Sequence, residues 1–235
     1  MTSRRILFAA MILIGSIVVF STSCEKDDKT QTEDPGKTFT DPRDGKVYKI
    51  VTIGTQTWLA ENLNYTKGIE NITSAEEWES MFGGSFTIPH EKRAAWCYFD
   101  NSNANGDIYG ALYTHAGAIL ACPPGWHIPS EEEWVQLTNY LGGLGGAGGR
   151  MKEIGEKHWL TPNEGANNAS GFSALPGGRR SYSPGNFHDL GSKAYFWSQK
   201  ETSIPYCLEL LYDFCIVGES HWFMSSGMSV RCVKD

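Results

Sequence analysis

The stretch that most constrains the fold is Ala121-Cys122-Pro123-Pro124-Gly125-Trp126-His127-Ile128-Pro129-Ser130-Glu131-Glu132-Glu133-Trp134. Two prolines fix φ and exclude helix, and Gly125 accepts a positive φ, so the chain must turn sharply before Trp126 is delivered inward. A helix then starts at Ser130, whose hydroxyl can accept from the Glu133 amide while the Glu133 carboxylate reaches back. This is a capping box, with Pro129 placed to pack on Trp134 as a staple. Trp134, Leu137 and Leu141 follow at helical spacing, and Gly142 supplies the stop. The device is architectural and carries no catalytic chemistry. Cys122, held just before a fixed turn, is well placed for a cross-link, and Cys232 near the C-terminus is its expected partner.

The compartment is read from the start of the chain. Arg4 and Arg5 precede an apolar run over residues 6–20, and Ser21, Thr22 and Ser23 lead into Cys24. The run is short for a membrane span, and small residues before a cysteine suit cleavage with lipidation of Cys24. Residues 1–23 therefore read as a bacterial lipoprotein signal peptide, although Ser21 stands where such signals usually have leucine. Removing it takes the formal charge from -7 to -9, which argues against nucleic acid as a partner. Residues 24–40 are polar and charged, a flexible tether from the lipidated cysteine. The cluster Glu25-Lys26-Asp27-Asp28 resembles signals that send bacterial lipoproteins to the outer face of the outer membrane. The expected location is the outer membrane, lipid-anchored and exposed at the cell surface.

Export permits disulfides, and with Cys24 lipidated an odd number of cysteines remains: Cys97, Cys122, Cys207, Cys215 and Cys232. Several pairings are open. Met228, Val230 and Cys232 alternate with Ser229, Arg231 and Val233, which turns Cys232 toward the core where Cys122 can meet it. Cys207 and Cys215 flank the turn at Tyr212-Asp213 and can pair across that hairpin, leaving Cys97 as the free thiol. No Cys-x-x-Cys pair suggests zinc or redox chemistry.

Residues 41–235 read as one domain. Asp41-Pro42-Arg43-Asp44-Gly45 is a turn, residues 46–53 are rich in β-branched side chains, and Gly54-Thr55 opens a hairpin into residues 56–60. Further strands are expected over 194–199, 206–211, 214–217 and 228–233, with a strand-like run over 171–176. The blocks "DPRDGKVYKIVTIGTQTWLAENLNY", "YGALYTHAGAILACPPGWHIPSEEEW", "ASGFSALPGGRR", "AYFWSQ" and "SVRCVKD" resemble, in order, the Fibrobacter succinogenes major paralogous domain family. That resemblance implies an α+β, C-type-lectin-like fold with two main helices, paired N- and C-terminal strands and a long loop region. It implies architecture more than activity. Residues 68–92 look like an insertion relative to shorter members, with their own capping box at Ser74 and Glu77. His115 stands where the family suggests an aromatic residue, a change of packing.

Candidate chemistry is sparse. Gly143, Gly145 and Gly148 satisfy Gly-x-Gly-x-x-Gly, but a helix rather than a strand precedes them, so a flexible loop is expected and no dinucleotide site. Calcium-dependent sugar binding in lectin-like folds needs converging oxygens on the long loop and a following strand, and neither of its motifs is intact here. Residues 100–107 resemble half of a calcium loop and lack its closing glutamate. Calcium is thus the only ion in question, and no cofactor is expected. The six histidines form no metal-binding or catalytic pair. On the long loop, Asn163, Glu164, Asn167 and Asn168 can hydrogen-bond a sugar beside Trp159, or else satisfy the loop through Asx turns. Eight tryptophans and ten tyrosines supply faces for sugars or protein partners. The expected function is a non-catalytic binding or adhesion module for glycan. The alternatives are a structural surface protein that binds another protein, and an enzyme with dispersed residues, related to formylglycine-generating folds through a cysteine pair.

Overall fold

The computed structural model describes residues 37–82, 94–199 and 205–235. Cys24, the signal peptide, most of the tether and the later part of the insertion lie outside the described residues.

The β-branched run forms β2 (Val47–Ile53), which turns at Gly54 into β3 (Gln56–Leu59), as the hairpin signal predicts. Ahead of it β1 (Thr38–Thr40) pairs antiparallel with β2, inside the stretch read as tether. Phe39 explains that difference, since its ring packs 5.1 Å from Trp126 and draws the strand onto the domain. The Pro-Pro-Gly turn, with Gly125 at φ 80°, delivers β7 (Trp126–His127). The C-terminal β13 (Val233–Lys234) lies between β3 and β7, completing a five-stranded sheet in the order β1-β2-β3-β13-β7. The two ends of the domain are therefore paired.

Between these ends β4 (Glu70–Asn71), β5 (Ala95–Cys97) and β6 (Leu112–Tyr113) form a second small sheet, and β8 (Arg179–Arg180) with β9 (Phe187–His188) a third. The strands β10 (Lys193–Trp197), β11 (Tyr206–Leu211) and β12 (Val217–His221) form an antiparallel meander. Five α-helices occur among the described residues: α1 (Ala75–Phe82), α2 (Asn103–Tyr109), α3 (His115–Ala121), α4 (Glu131–Tyr140) and α5 (Leu144–Met151). Both bonds of the capping box are present on α4. At α1 the Ser74 hydroxyl accepts from the Glu77 amide and donates to the Glu76 carboxylate, and the return bond from the Ser74 backbone amide to Glu77 is not among the described bonds.

The glycine run read as a flexible loop is helical in α5. Added Cβ atoms at Gly148 and Gly149 would come within 2.4 Å of the Ile216 carbonyl oxygen and 2.3 Å of that of Gly165. Glycine is required there for close backbone approach rather than for flexibility. The strand expected over 228–233 is mostly extended chain, joined by bridges at Met228 and Ser229 before β13. Its inside-outside alternation fails because both faces are covered, with Ser229, Arg231 and Val233 as buried as Met228, Val230 and Cys232. No strand forms over 171–176 beyond a bridge at Ala174. The strand expected over 214–217 instead begins at Val217.

Cys122 and Cys232 form the expected disulfide, 110 residues apart in sequence with Cα atoms 6.0 Å apart. The Cys207–Cys215 pair does not form. The register of β11 places Cys207 opposite Ser220 and Trp197, so Cys215, in the turn at the far end of the hairpin, is out of reach. Cys207 and Cys97 are buried free thiols.

His127 closes the C-terminal end. Its Nδ1 lies 2.6 Å from an Asp235 carboxylate oxygen and its Nε2 lies 3.0 Å from Glu133, the capping-box residue of α4. Burial alone lowers its pKa, but the hydrogen bonds to Asp235 and Glu133 outweigh burial and raise it. A raised folded-state pKa stabilises the fold fully below the unfolded value of about 6.5 and ceases to do so as pH rises through the folded value. Thermal melts through the neutral range are therefore expected to show stability falling with rising pH on this account, and His127→Gln to flatten that arm. An unchanged profile in the variant would remove His127 from the account.

Candidate functional site

The long loop over residues 153–178 is pinned from within. Trp159 is buried among Phe172, Ala174 and Met151, and its Nε1 donates to the Ala174 carbonyl at 2.9 Å. It is an anchor of the loop, so the expected sugar-stacking face is not available. The Asn163 amide donates to the carbonyls of Glu153 (2.9 Å) and Gly155 (2.6 Å) from a buried position at φ 44°. Asn167 is exposed and accepts the Ala169 amide in an Asx turn. Asn168 and Ser173 hold each other: the Ser173 amide donates to Asn168 Oδ1 and Asn168 Nδ2 to Ser173 Oγ, both at 2.8 Å. The Glu164 side chain is exposed while its carbonyl accepts from Lys152. Most of these asparagines therefore serve the loop.

The loop so fixed forms one wall of a polar cleft of about 550 Å³. This volume falls in the range of small-molecule sites. The opposite wall is the start of β2 with Lys46, Val47 and Lys49, and the end of α2 with Asp107 and Ile108 closes one side. The floor is the segment after β3, with Glu61, Asn62 and Asn64. Of the five candidate ligand residues only Asn168 lines this cleft. Glu153, Lys157, His158 and Ser173 join it from the same loop. Sequence reading missed them, along with Lys46, Lys49, Glu61 and Asp107. The signal available was the alternation of β2, which turns Tyr48 inward and leaves Val47 and Lys49 exposed.

Donors and acceptors both line the cleft. His158 Nδ1 pairs with Glu153 at 2.7 Å, with the Tyr109 ring at its edge 5.8 Å away. The Glu61 carboxylate accepts the Lys49 amide at 2.8 Å. Burial pulls the Lys46 ammonium below the usual lysine value, while Asp44, Glu61 and Asp107 partly restore it. Val47 and Ile108, 54% and 44% exposed, give the rim an apolar component. Behind the floor lies Arg231, fully buried, donating to Asn62 Oδ1 and to the carbonyls of Leu59, Phe172 and Ser173. It holds the floor and the loop wall in one register. The positive φ of Asn168 (49°) and Ser173 (52°) marks backbone fixed by its surroundings.

Burial also governs the cysteines, pushing the Cys97 thiol up to about 12 and Cys207 well above the usual thiol value. Neither is poised as a thiolate at neutral pH. Among the described residues no three His, Cys, Asp or Glu side chains converge as metal ligands.

No curated protein and no solved structure matches the chain. The model of one family, the Fibrobacter succinogenes major domain, matches residues 51–234. The match begins within β2 and covers β3, the cleft floor, the pinned loop, the meander and the closing strand, and the chain belongs to the Fibrobacter succinogenes major domain family.

Proposed function

We propose that the chain is a lipid-anchored surface protein of the outer membrane with lectin-like architecture, acting as a non-catalytic binding module whose ligand is a glycan held in the cleft of Lys46, Glu61, Asp107 and His158. The observation that carries this reading is a rigid cleft wall combined with interspersed carboxylates, ammonium groups and amides. A saccharide offers hydroxyls that both donate and accept, which suits such a lining, and the exposed Val47 and Ile108 can meet its C–H faces. A fixed wall lowers the entropy lost on binding. The lectin-like reading draws support from the paired chain ends and the long strand-poor loop.

One observation favours a protein partner instead. Tyr182 and Phe223, 40% and 55% exposed, pack with ring centroids 4.3 Å apart and planes tilted by 48°. Exposed aromatic pairs of this kind anchor protein interfaces.

A glycan-array screen of the folded protein with neutral and acidic members, followed by titration of each hit against Asp107→Ala and Lys46→Ala, tests the glycan reading and its place. Loss of a charge-assisted hydrogen bond is expected to weaken a hit by about tenfold or more in either variant. Hits unaffected by both variants but abolished by Phe223→Ser move the site to the aromatic pair. Silence across the array sinks the glycan reading.

A further inference from the structure

Resting on the glycan reading of this cleft, we infer that its ligand is an acidic saccharide, whose carboxylate or sulfate oxyanion is taken by Lys49 and Lys157. The argument is a pairing of charges within the cleft. Three carboxylates line it, and each is already engaged within the protein. Glu153 is bonded to His158 Nδ1 at 2.7 Å. Glu61 accepts the Lys49 backbone amide at 2.8 Å. Asp107 faces Lys46, as do Glu61 and Asp44. Two ammonium groups, Lys49 and Lys157, also line the cleft and have no side-chain acceptor among the described residues.

Arg231 strengthens the asymmetry. Its partners are an amide oxygen and three carbonyls, so its charge meets no carboxylate in direct contact. It sits behind Asn62 and Ser173, both cleft-lining residues, and adds positive potential to the floor. The chain as a whole carries a formal charge of -7, so a cleft whose three carboxylates meet three lysines with Arg231 behind them departs from its surroundings. An oxyanion on a sugar ring supplies the missing acceptors, while the ring hydroxyls use the carboxylates and amides beside it.

Isothermal titration of the purified protein with an oligogalacturonate, its methyl ester, and neutral and sulfated oligogalactans of equal length tests this directly. The methyl ester keeps the shape and removes the charge. The acid or sulfated form is expected to bind roughly tenfold tighter than its uncharged counterpart at low salt, the sum expected from two partly exposed ion pairs. The difference should shrink as salt is raised. Lys49→Met and Lys157→Met should each weaken the charged ligand by up to about fivefold and leave the uncharged one unchanged. Preference for the uronate over the sulfated form, or the reverse, identifies the oxyanion. Equal binding of charged and uncharged forms overturns the acidic assignment and leaves the glycan reading standing. Absence of binding by every oligosaccharide, including any neutral array hit, overturns both.

Discussion

Arg231→Met is expected to destabilise the protein by about 3–5 kcal/mol, among the largest effects of any single substitution in this chain. Methionine has nearly the same reach and is apolar, so little volume is lost and no large cavity opens. What is lost is the set of donors. Asn62 Oδ1 and the carbonyls of Leu59, Phe172 and Ser173 would each lose a bond inside the protein, and an unsatisfied buried acceptor costs about 1–3 kcal/mol. Opposing this is relief of a desolvated charge, since burial pushes the guanidinium down to about 9 while leaving it protonated at neutral pH. The donor loss prevails because the guanidinium is already compensated by four acceptors and by the Phe172 and Phe196 rings, 4.5 and 5.6 Å away. Urea denaturation of the variant checks the estimate. A loss below about 1 kcal/mol would show that the carbonyls find other donors on relaxation.

Arg231 is one of three such residues. Arg180 donates to the carbonyls of Gly185, Ile72, Thr73 and Ser74 beneath Trp78, and Lys152 donates to those of Glu164, Leu211 and Phe214 beside Trp159. All three are fully buried, and no ion pair to a carboxylate occurs among their described contacts. A chain with short strands and long loops leaves many backbone carbonyls without ladder partners, and these cations collect them. Arg43 does related work at the surface, where its guanidinium donates to the Ala121 and Cys122 carbonyls at the end of α3 and pairs with the buried Asp41.

This explains what the sequence could and could not disclose. The capping box at Ser130, the Pro-Pro-Gly turn, the β2–β3 hairpin and the Cys122–Cys232 cross-link are set by local stereochemistry, or by a single fixed turn, and were legible. Arg180 and Arg231 sit within the blocks "ASGFSALPGGRR" and "SVRCVKD", yet nothing local says that an arginine will be buried against carbonyls from distant segments. The glycine helix was unreadable for a similar reason: Gly148 and Gly149 serve backbone from residues 215, 216 and 165. Trp159 was misjudged because a tryptophan in a polar loop looks the same whether it anchors the loop or faces solvent. The cleft was invisible as a unit, since its walls come from β2, α2 and the pinned loop, and only Asn168 among the expected ligand residues reaches it.

Removing the Cys122–Cys232 cross-link with a double substitution to alanine is expected to cost on the order of 4–5 kcal/mol, from the loop of 110 residues that it closes in the unfolded chain. Native-state features make the full figure credible here. The bond joins the turn before β7 to the segment leading into β13, and those strands pair with only Val233↔His127 and Lys234↔Trp126. So short a ladder cannot hold the chain ends together alone. Arg43 reaches the Cys122 carbonyl, so loosening this corner also frees the cap on α3. The His127 bridge to Asp235, the residue after β13, lies beside this ladder and should weaken with it. The measurement is guanidinium denaturation of the wild type and the double variant under non-reducing conditions. A second comparison, wild type with and without reductant, leaves side-chain volume unchanged, and the same pair of measurements on the double variant subtracts the contribution of Cys215, which is also disulfide-bonded. Cys97 and Cys207 stay as thiols in both arms, buried and with raised pKa, so exchange through them is slow. Agreement of the two comparisons at several kcal/mol supports the closure account. A cost below about 1 kcal/mol in both would mean that the sheet and the buried cations hold the termini without the cross-link.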